Sequence, residues 1–79
     1  MILYMKSSCP FSAKVLIEAS LLGIEFEERN VKDDKIAQEL IEKGGQLQTP
    51  YLIDEERGVA MYESDAIIDY LHATFTDGP

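Results

Sequence analysis

The sequence predicts an α/β fold in which a mixed four-stranded sheet packs against three helices. Three observations predict it. The chain opens on a wholly apolar run, Met1 to Met5, which is typical of a strand buried on both faces. Three later segments repeat apolar residues at three- and four-residue spacing, as amphipathic helices do. A polar turn that ends in glycine, Asp54 to Gly58, separates two short β-type runs and indicates a hairpin.

The first half of the chain reads as strand, helix, strand. The helix is expected to begin at Cys9 or Pro10, because proline is tolerated in a first helical turn, and to end near Gly23. Its apolar positions are Phe11, Val15, Ala19 and Leu22, with Leu16 alongside. Residues 24–31 alternate apolar and polar side chains and predict a more exposed strand. A helix between two strands favours parallel pairing of the first strand with the second.

The second half reads as helix, strand, strand, helix. Asp33 and Asp34 stand at the start of the second helix, where the helix dipole favours acidic side chains, and Gly44-Gly45 ends it. The hairpin strands are expected at 51–53 and 59–62. Ser64 is expected to cap the last helix. We expect residues 76–79 to fray.

Composition narrows the function classes. Seventy-nine residues predict one domain, residues 1–79, and the formal net charge is −8, with 15 acidic and 7 basic residues. This balance argues against nucleic-acid and anionic-membrane partners. No apolar run is long enough to span a membrane, and the N-terminus lacks a signal-peptide pattern. A single cysteine cannot form an internal disulfide and fits a reducing compartment, which predicts the cytoplasm. One Cys and one His, His72, cannot make a four-ligand zinc site, so we expect no metal site.

Cys9 is the candidate nucleophile. A thiol in the first turn of a helix lies near unpaired N–H groups and the positive end of the dipole, which favour thiolate. Lys6 could add positive charge, and the Ser12 hydroxyl could donate a hydrogen bond to the thiolate. The alternative is a buried structural cysteine, since free cysteine is often buried. Because Ser12 is not a second thiol, disulfide exchange at Cys9 would need a partner thiol.

Two further segments are candidates for binding a ligand near Cys9. Thr49-Pro50 precedes a strand, where proline is tolerated; a cis bond would free the Thr49 backbone to pair with an extended peptide, but sequence position does not establish one. In Glu63-Ser64-Asp65, a helix N-terminus could bind a carboxylate while an acidic side chain binds an ammonium group. Simple helix capping by Ser64 is the alternative.

Together, residues 6–12 (KSSCPFS), Thr49-Pro50 and residues 63–67 (ESDAI) resemble glutaredoxins and the N-terminal domain of glutathione S-transferases, which share the thioredoxin-like fold. The resemblance covers Met1 to about Phe75. The first motif is similar to a monothiol glutaredoxin active site of the CPFS type, and the third is closer to the transferases.

The resemblance implies glutathione as ligand and Cys9 as the nucleophile that forms a mixed disulfide with it, with Ser12 beside it. The implied glutathione-binding residues are Lys6 (for the glycine carboxylate, or in favour of the thiolate), Cys9, Phe11, Gln48 or Gln46, Thr49 and Pro50 (for the cysteinyl backbone), and Glu63, Ser64 and Asp65 (for the γ-glutamyl head group).

The expected activity is that of a glutathione-dependent thiol-disulfide oxidoreductase that reduces glutathionylated proteins or small disulfides, as a monomer or weak dimer. Two alternatives remain: a transferase-like glutathione-binding domain, and a scaffold for a glutathione-ligated iron–sulfur cluster. Pro10 stands where cluster-binding monothiol glutaredoxins carry Gly, and full transferases carry a second, helical domain. The first departure counts against cluster binding, and the second counts against conjugation of a bulky electrophile.

Overall fold

The computed structural model describes residues 1–75, so the expected fraying of residues 76–79 lies outside the described part of the chain. The elements are β1 (Ile2–Met5), α1 (Pro10–Leu21), β2 (Glu27–Asn30), α2 (Asp34–Gly44), β3 (Tyr51–Asp54), β4 (Val59–Tyr62) and α3 (Ser64–Phe75). This order confirms the predicted α/β fold. Within residues 1–75, none of the helices is both long enough and apolar enough to cross a membrane.

The four strands form one mixed sheet in the order β2-β1-β3-β4. β1 runs parallel to β2 and antiparallel to β3, and β3 runs antiparallel to β4. The second strand is shorter than predicted, because pairing with β1 begins only at Glu27, opposite Ile2. Ile24 and Phe26 precede it and pack against the core instead.

Both faces of β1 are buried, as its apolar run predicts. Leu3 belongs to a cluster with Val15 of α1 and Leu71 of α3, whereas Tyr4 contacts a second cluster around Leu40 of α2. Neighbouring residues of a strand point to opposite faces. Therefore α1 and α3 cover one face of the sheet and α2 covers the other.

The ends of α2 follow the sequence prediction. The Asp33 side chain accepts hydrogen bonds from the N–H groups of Lys35 and Ile36, at 2.8 and 3.4 Å. Gly45 ends the helix with a φ of 89°, in the left-handed region that glycine adopts at low cost.

The start of α3 differs from the prediction by one residue. Ser64 is the first helical residue and not the cap. The preceding Glu63 has a φ of 77°, and its carbonyl accepts the first helical hydrogen bond, from the N–H of Ile67 at 3.0 Å. Because the chain enters the helix through Glu63, the Ser64 hydroxyl is not used as a cap and its side chain is buried.

Candidate functional site

Cys9 occupies the N-cap position of α1, directly beyond the end of β1. Its φ and ψ of −87° and 116° are extended, and its side chain makes no capping hydrogen bond. The Cys9 N–H donates to the Lys6 carbonyl, and the Cys9 carbonyl accepts from the N–H of Ala13. The thiol is half-buried and is not part of a disulfide. The backbone is therefore fixed on both sides of a thiol that solvent can still reach.

The surroundings of Cys9 favour the thiolate. Burial alone would raise the pKa of the thiol, but hydrogen bonds from the side chains of Thr49 and Ser12 and from the backbone of Ser12 and Phe11 outweigh it and lower the pKa. The Phe11 and Ser12 N–H groups belong to the first turn of α1, where they have no helical partner. These hydrogen bonds favour the interpretation of Cys9 as a nucleophile over that of an inert buried cysteine.

Ser12, in the first turn of α1, is hydrogen-bonded to the Cys9 sulfur. It is buried, and its hydroxyl oxygen accepts a hydrogen bond from the Lys6 N–H at 3.3 Å. This leaves the hydroxyl proton available for the Cys9 sulfur. Lys6 therefore contacts Ser12 through its backbone N–H. The hydrogen bonds that lower the Cys9 pKa come from other residues.

Thr49, in the loop before β3, contacts Cys9. The Cys9 sulfur lies 3.8 Å from the Thr49 carbonyl oxygen, to which the protonated thiol donates; this contact favours the thiol, whereas the Thr49 side chain favours the thiolate. The Thr49–Pro50 peptide bond is cis, and Pro50 is fully buried. Sequence position alone left this bond open.

Tyr62 holds the loop that carries Thr49. Its hydroxyl donates to the Gln46 carbonyl at 2.7 Å and accepts from the Gln46 N–H at 3.2 Å. The ring packs so closely on Gly44 that a Cβ there would overlap the Tyr62 hydroxyl. Gln46 thus contributes its backbone to the loop and lines neither of the two cavities beside Cys9.

The first of these, the acidic cavity, has a volume of about 300 Å³ and brings together most of the predicted ligand-binding residues. It is lined by Phe11, Gln48, Thr49, Pro50, Glu63, Ser64 and Asp65. Gln48 Nε2 donates to Glu63 Oε1 at 3.2 Å, and Lys14 Nζ lies 2.5 Å from Asp65 Oδ1. Phe11, expected on the core face of α1, is 59% exposed, because it stands in the first turn, beyond the sheet.

The second, the lysine cavity, has a volume of about 490 Å³ and is lined by Lys6, Val31, Lys32, Leu47 and Thr49. Within residues 1–75, neither Lys6 nor Lys32 forms an ion pair, although the chain carries 15 acidic residues. Thr49 lines both cavities. Cys9 itself lines neither cavity, but its sulfur lies 3.8 Å from the carbonyl oxygen of Thr49, the residue that the two linings share.

Three residues of these cavities were missed by the sequence analysis: Val31, Lys32 and Leu47. A signal for Lys32 was present, since it follows β2, and the carboxyl ends of parallel strands meet at one edge of a sheet. Lone lysines are common on surfaces, and Leu47 has no local signal at all. Among residues 1–75 no three His, Cys, Asp or Glu side chains are grouped so that they could hold a metal ion.

The fold and this site define a thioredoxin-like domain with a half-buried free cysteine at the N-cap of its first helix. The sequence model of the family "Glutathione S-transferase, N-terminal domain" matches residues 3–79, so the chain belongs to that family. No curated protein matched the chain.

Solved structures agree with the family assignment. Glutathione S-transferase 1-6 from Anopheles dirus species B is 29% identical, with a TM-score of 0.83 over 99% of this chain and 37% of that one. Glutathione transferase E6 from Drosophila melanogaster is also 29% identical, with a TM-score of 0.79 over 98% of this chain and 36% of that one. A glutathione S-transferase from the Antarctic clam Laternula elliptica is 27% identical, with a TM-score of 0.79 over 94% of this chain and 34% of that one. The chain thus spans about a third of the length of these transferases.

Proposed function

We propose that this domain binds glutathione across the acidic and lysine cavities and exchanges disulfides with it through Cys9. One observation carries the proposal: two cavities with oppositely charged linings share Thr49, whose carbonyl oxygen lies 3.8 Å from the Cys9 sulfur. Glutathione has a zwitterionic γ-glutamyl end, a central thiol and an anionic glycine end. Its ammonium group therefore complements the acidic cavity, and its glycine carboxylate complements the lysine cavity.

Each part of glutathione has complementary groups. The head-group ammonium pairs with Glu63 or Asp65, and its carboxylate accepts from the free N–H groups in the first turn of α3. The cysteinyl backbone lies along Thr49 and Pro50. The glycine carboxylate lies between Lys6 and Lys32, whose ammonium groups have no ion pair within the described residues.

The chemistry follows from the thiolate. Cys9 attacks the glutathione sulfur of a mixed disulfide, a Cys9–glutathione disulfide forms, and the other thiol leaves as a thiolate that takes up a proton. A second glutathione thiolate then attacks the glutathione sulfur of that disulfide, which yields oxidised glutathione and regenerates the Cys9 thiolate. The lowered pKa of Cys9 raises the fraction of thiolate at a given pH and makes the Cys9 sulfur a better leaving group.

The comparisons support the transferase-like interpretation of the sequence better than the glutaredoxin-like one. Family membership therefore supports glutathione binding, and the proposed exchange step depends on Cys9 and its hydrogen bonds. The substrates we propose are glutathionylated proteins or small disulfides, and the compartment is a reducing one such as the cytoplasm.

Reduction of a small glutathione mixed disulfide by glutathione tests this proposal. We expect turnover by the unmodified protein and none by Cys9→Ser, while the variant still binds glutathione. Ser8→Ala, one residue away and exposed, is the matched control and should keep the rate. If Cys9→Ser kept the rate, or if the unmodified protein bound glutathione without turnover, the exchange step would be wrong; the second result would favour a binding domain of the transferase type.

A further inference from the structure

Lys14 forms an ion pair with Asp65, a residue that lines the acidic cavity, although no part of the proposed function uses Lys14. It lies on α1, one helical turn after Phe11, which lines the cavity. Its ammonium group lies 2.5 Å from Asp65 Oδ1 in the first turn of α3. The ion pair thus joins the two helices at the head-group end of the site.

The pair does little for stability. The Lys14 and Asp65 side chains are 52% and 82% exposed, and exposed ion pairs usually stabilise a fold by about 1 kcal/mol or less. The ion pair matters more for ligand binding in the acidic cavity, because the Lys14 ammonium adds a positive charge beside the Asp65 carboxylate.

The residues that line the acidic cavity include two carboxylates, Glu63 and Asp65, and no cationic side chain. An ammonium group is attracted to such a site, but a carboxylate bound next to it is repelled. Within residues 1–75, Lys14 is the one cation that pairs with a residue of this lining. Because an ammonium group has three donors, Lys14 can hold Asp65 and still donate to a second carboxylate.

We propose that Lys14 determines the specificity of the acidic cavity for an α-amino-acid head group, because its ammonium joins the N–H groups at the start of α3 in receiving the α-carboxylate, while Glu63 and Asp65 receive the α-ammonium. This inference depends on the proposed binding of glutathione. It adds that the site recognises the zwitterion as a unit and rejects head groups that carry only one of the two charges.

The experiment measures dissociation constants of reduced ligands by calorimetry. The ligands are glutathione, an analogue in which 4-aminobutyrate replaces the γ-glutamyl group and so removes the α-carboxylate, and an analogue in which glutarate removes the α-ammonium. The proteins are the unmodified chain, Lys14→Gln, Lys14→Arg and a control, Lys43→Gln, on α2 across the sheet. Circular dichroism checks that each variant is folded.

We expect Lys14→Gln to weaken glutathione binding about tenfold, as loss of one charge-assisted hydrogen bond would. The same variant should bind the 4-aminobutyrate analogue as well as the unmodified protein does, because that ligand has no α-carboxylate to lose. Lys14→Arg should restore most of the affinity, and Lys43→Gln should change neither ligand.

Two results would overturn the inference while glutathione binding stands: Lys14→Gln weakening glutathione and the 4-aminobutyrate analogue equally, or weakening neither. If the unmodified protein bound none of the three ligands, the proposed function itself would be wrong. The two failures are therefore distinguishable in one data set.

Discussion

The sulfur of Cys9 lies 3.8 Å from the carbonyl oxygen of Thr49, a residue forty positions later in the chain. The contact joins the N-cap of α1 to the loop before β3, and it places the thiol next to Thr49, which lines both the acidic and the lysine cavity. Binding of a thiol peptide along the loop would bring its sulfur to Cys9.

Ser12 is expected to increase the reactivity of this thiol. Ser12→Ala removes a hydrogen bond that lowers the Cys9 pKa, so the pKa should rise. The thiolate is the reactive form, and the alkylation rate of Cys9 should therefore reach its plateau at higher pH in the variant. Ser20→Ala, on the exposed side of the same helix, is the control. An unchanged midpoint would show that Ser12 does not bond the thiolate.

Gly44 should tolerate no side chain, although it ends a helix. Replacing glycine by alanine in a helix usually stabilises it, by up to about 1 kcal/mol. Here the added Cβ would overlap the Tyr62 hydroxyl, so Gly44→Ala should destabilise the fold by about 1–3 kcal/mol. Urea unfolding measures the change. Combining it with Tyr62→Phe should recover part of the loss, whereas a stabilised Gly44→Ala protein would contradict the packing.

Asp54 should make stability depend on acid. It is buried, and hydrogen bonds from Tyr70, at 2.5 Å, and from Arg57 lower its pKa against the opposing effect of burial. Its contribution is complete above the ordinary carboxyl pKa of about 4 and is lost as pH falls through the lower folded value. Tyr70→Phe should cost about 2 kcal/mol at neutral pH, and the difference should shrink below about pH 4. A difference that is constant with pH would contradict this linkage.

Tyr4 provides the opposite case. Its hydroxyl is buried and, within residues 1–75, makes no hydrogen bond of ordinary geometry; burial first, and then the nearby Glu39 carboxylate, raise its pKa to about 12. Tyr4→Phe removes an unsatisfied group and should leave stability unchanged or increase it by up to about 1 kcal/mol. The matched comparison is Tyr70→Phe under the same conditions. Equal losses in the two variants would mean that the Tyr4 hydroxyl is bonded after all.

Local signals predicted most of the fold. The apolar run of β1, the acidic start of α2 and the glycine after it each act over a few residues, and each is where the sequence indicates. The shorter β2 and the shifted start of α3 depend on partners elsewhere in the chain. Pairing with β1 determines where β2 begins, and the backbone conformation of Glu63 determines where α3 begins.

The candidate-site residues that stand in local sequence motifs were predictable. The lysines that reach the site through contacts distant in sequence were not. Cys9, Thr49 and Ser64 stand in recognisable segments. Lys14 and Lys32 do not, because their roles come from Asp65 and from the cavity beside Thr49, which are distant in sequence. Surface lysines of this kind have no local pattern that marks them.

The most direct test of the account is a titration of Cys9→Ser with reduced glutathione, followed by backbone NMR, because the variant isolates binding from chemistry. We predict saturable shifts confined to the two cavities, at Gln48, Thr49 and Ser64 on one side and at Lys32 on the other. Saturable shifts at the acidic cavity alone would remove the lysine cavity from the site. The absence of any saturable shift at millimolar glutathione would contradict the central claim.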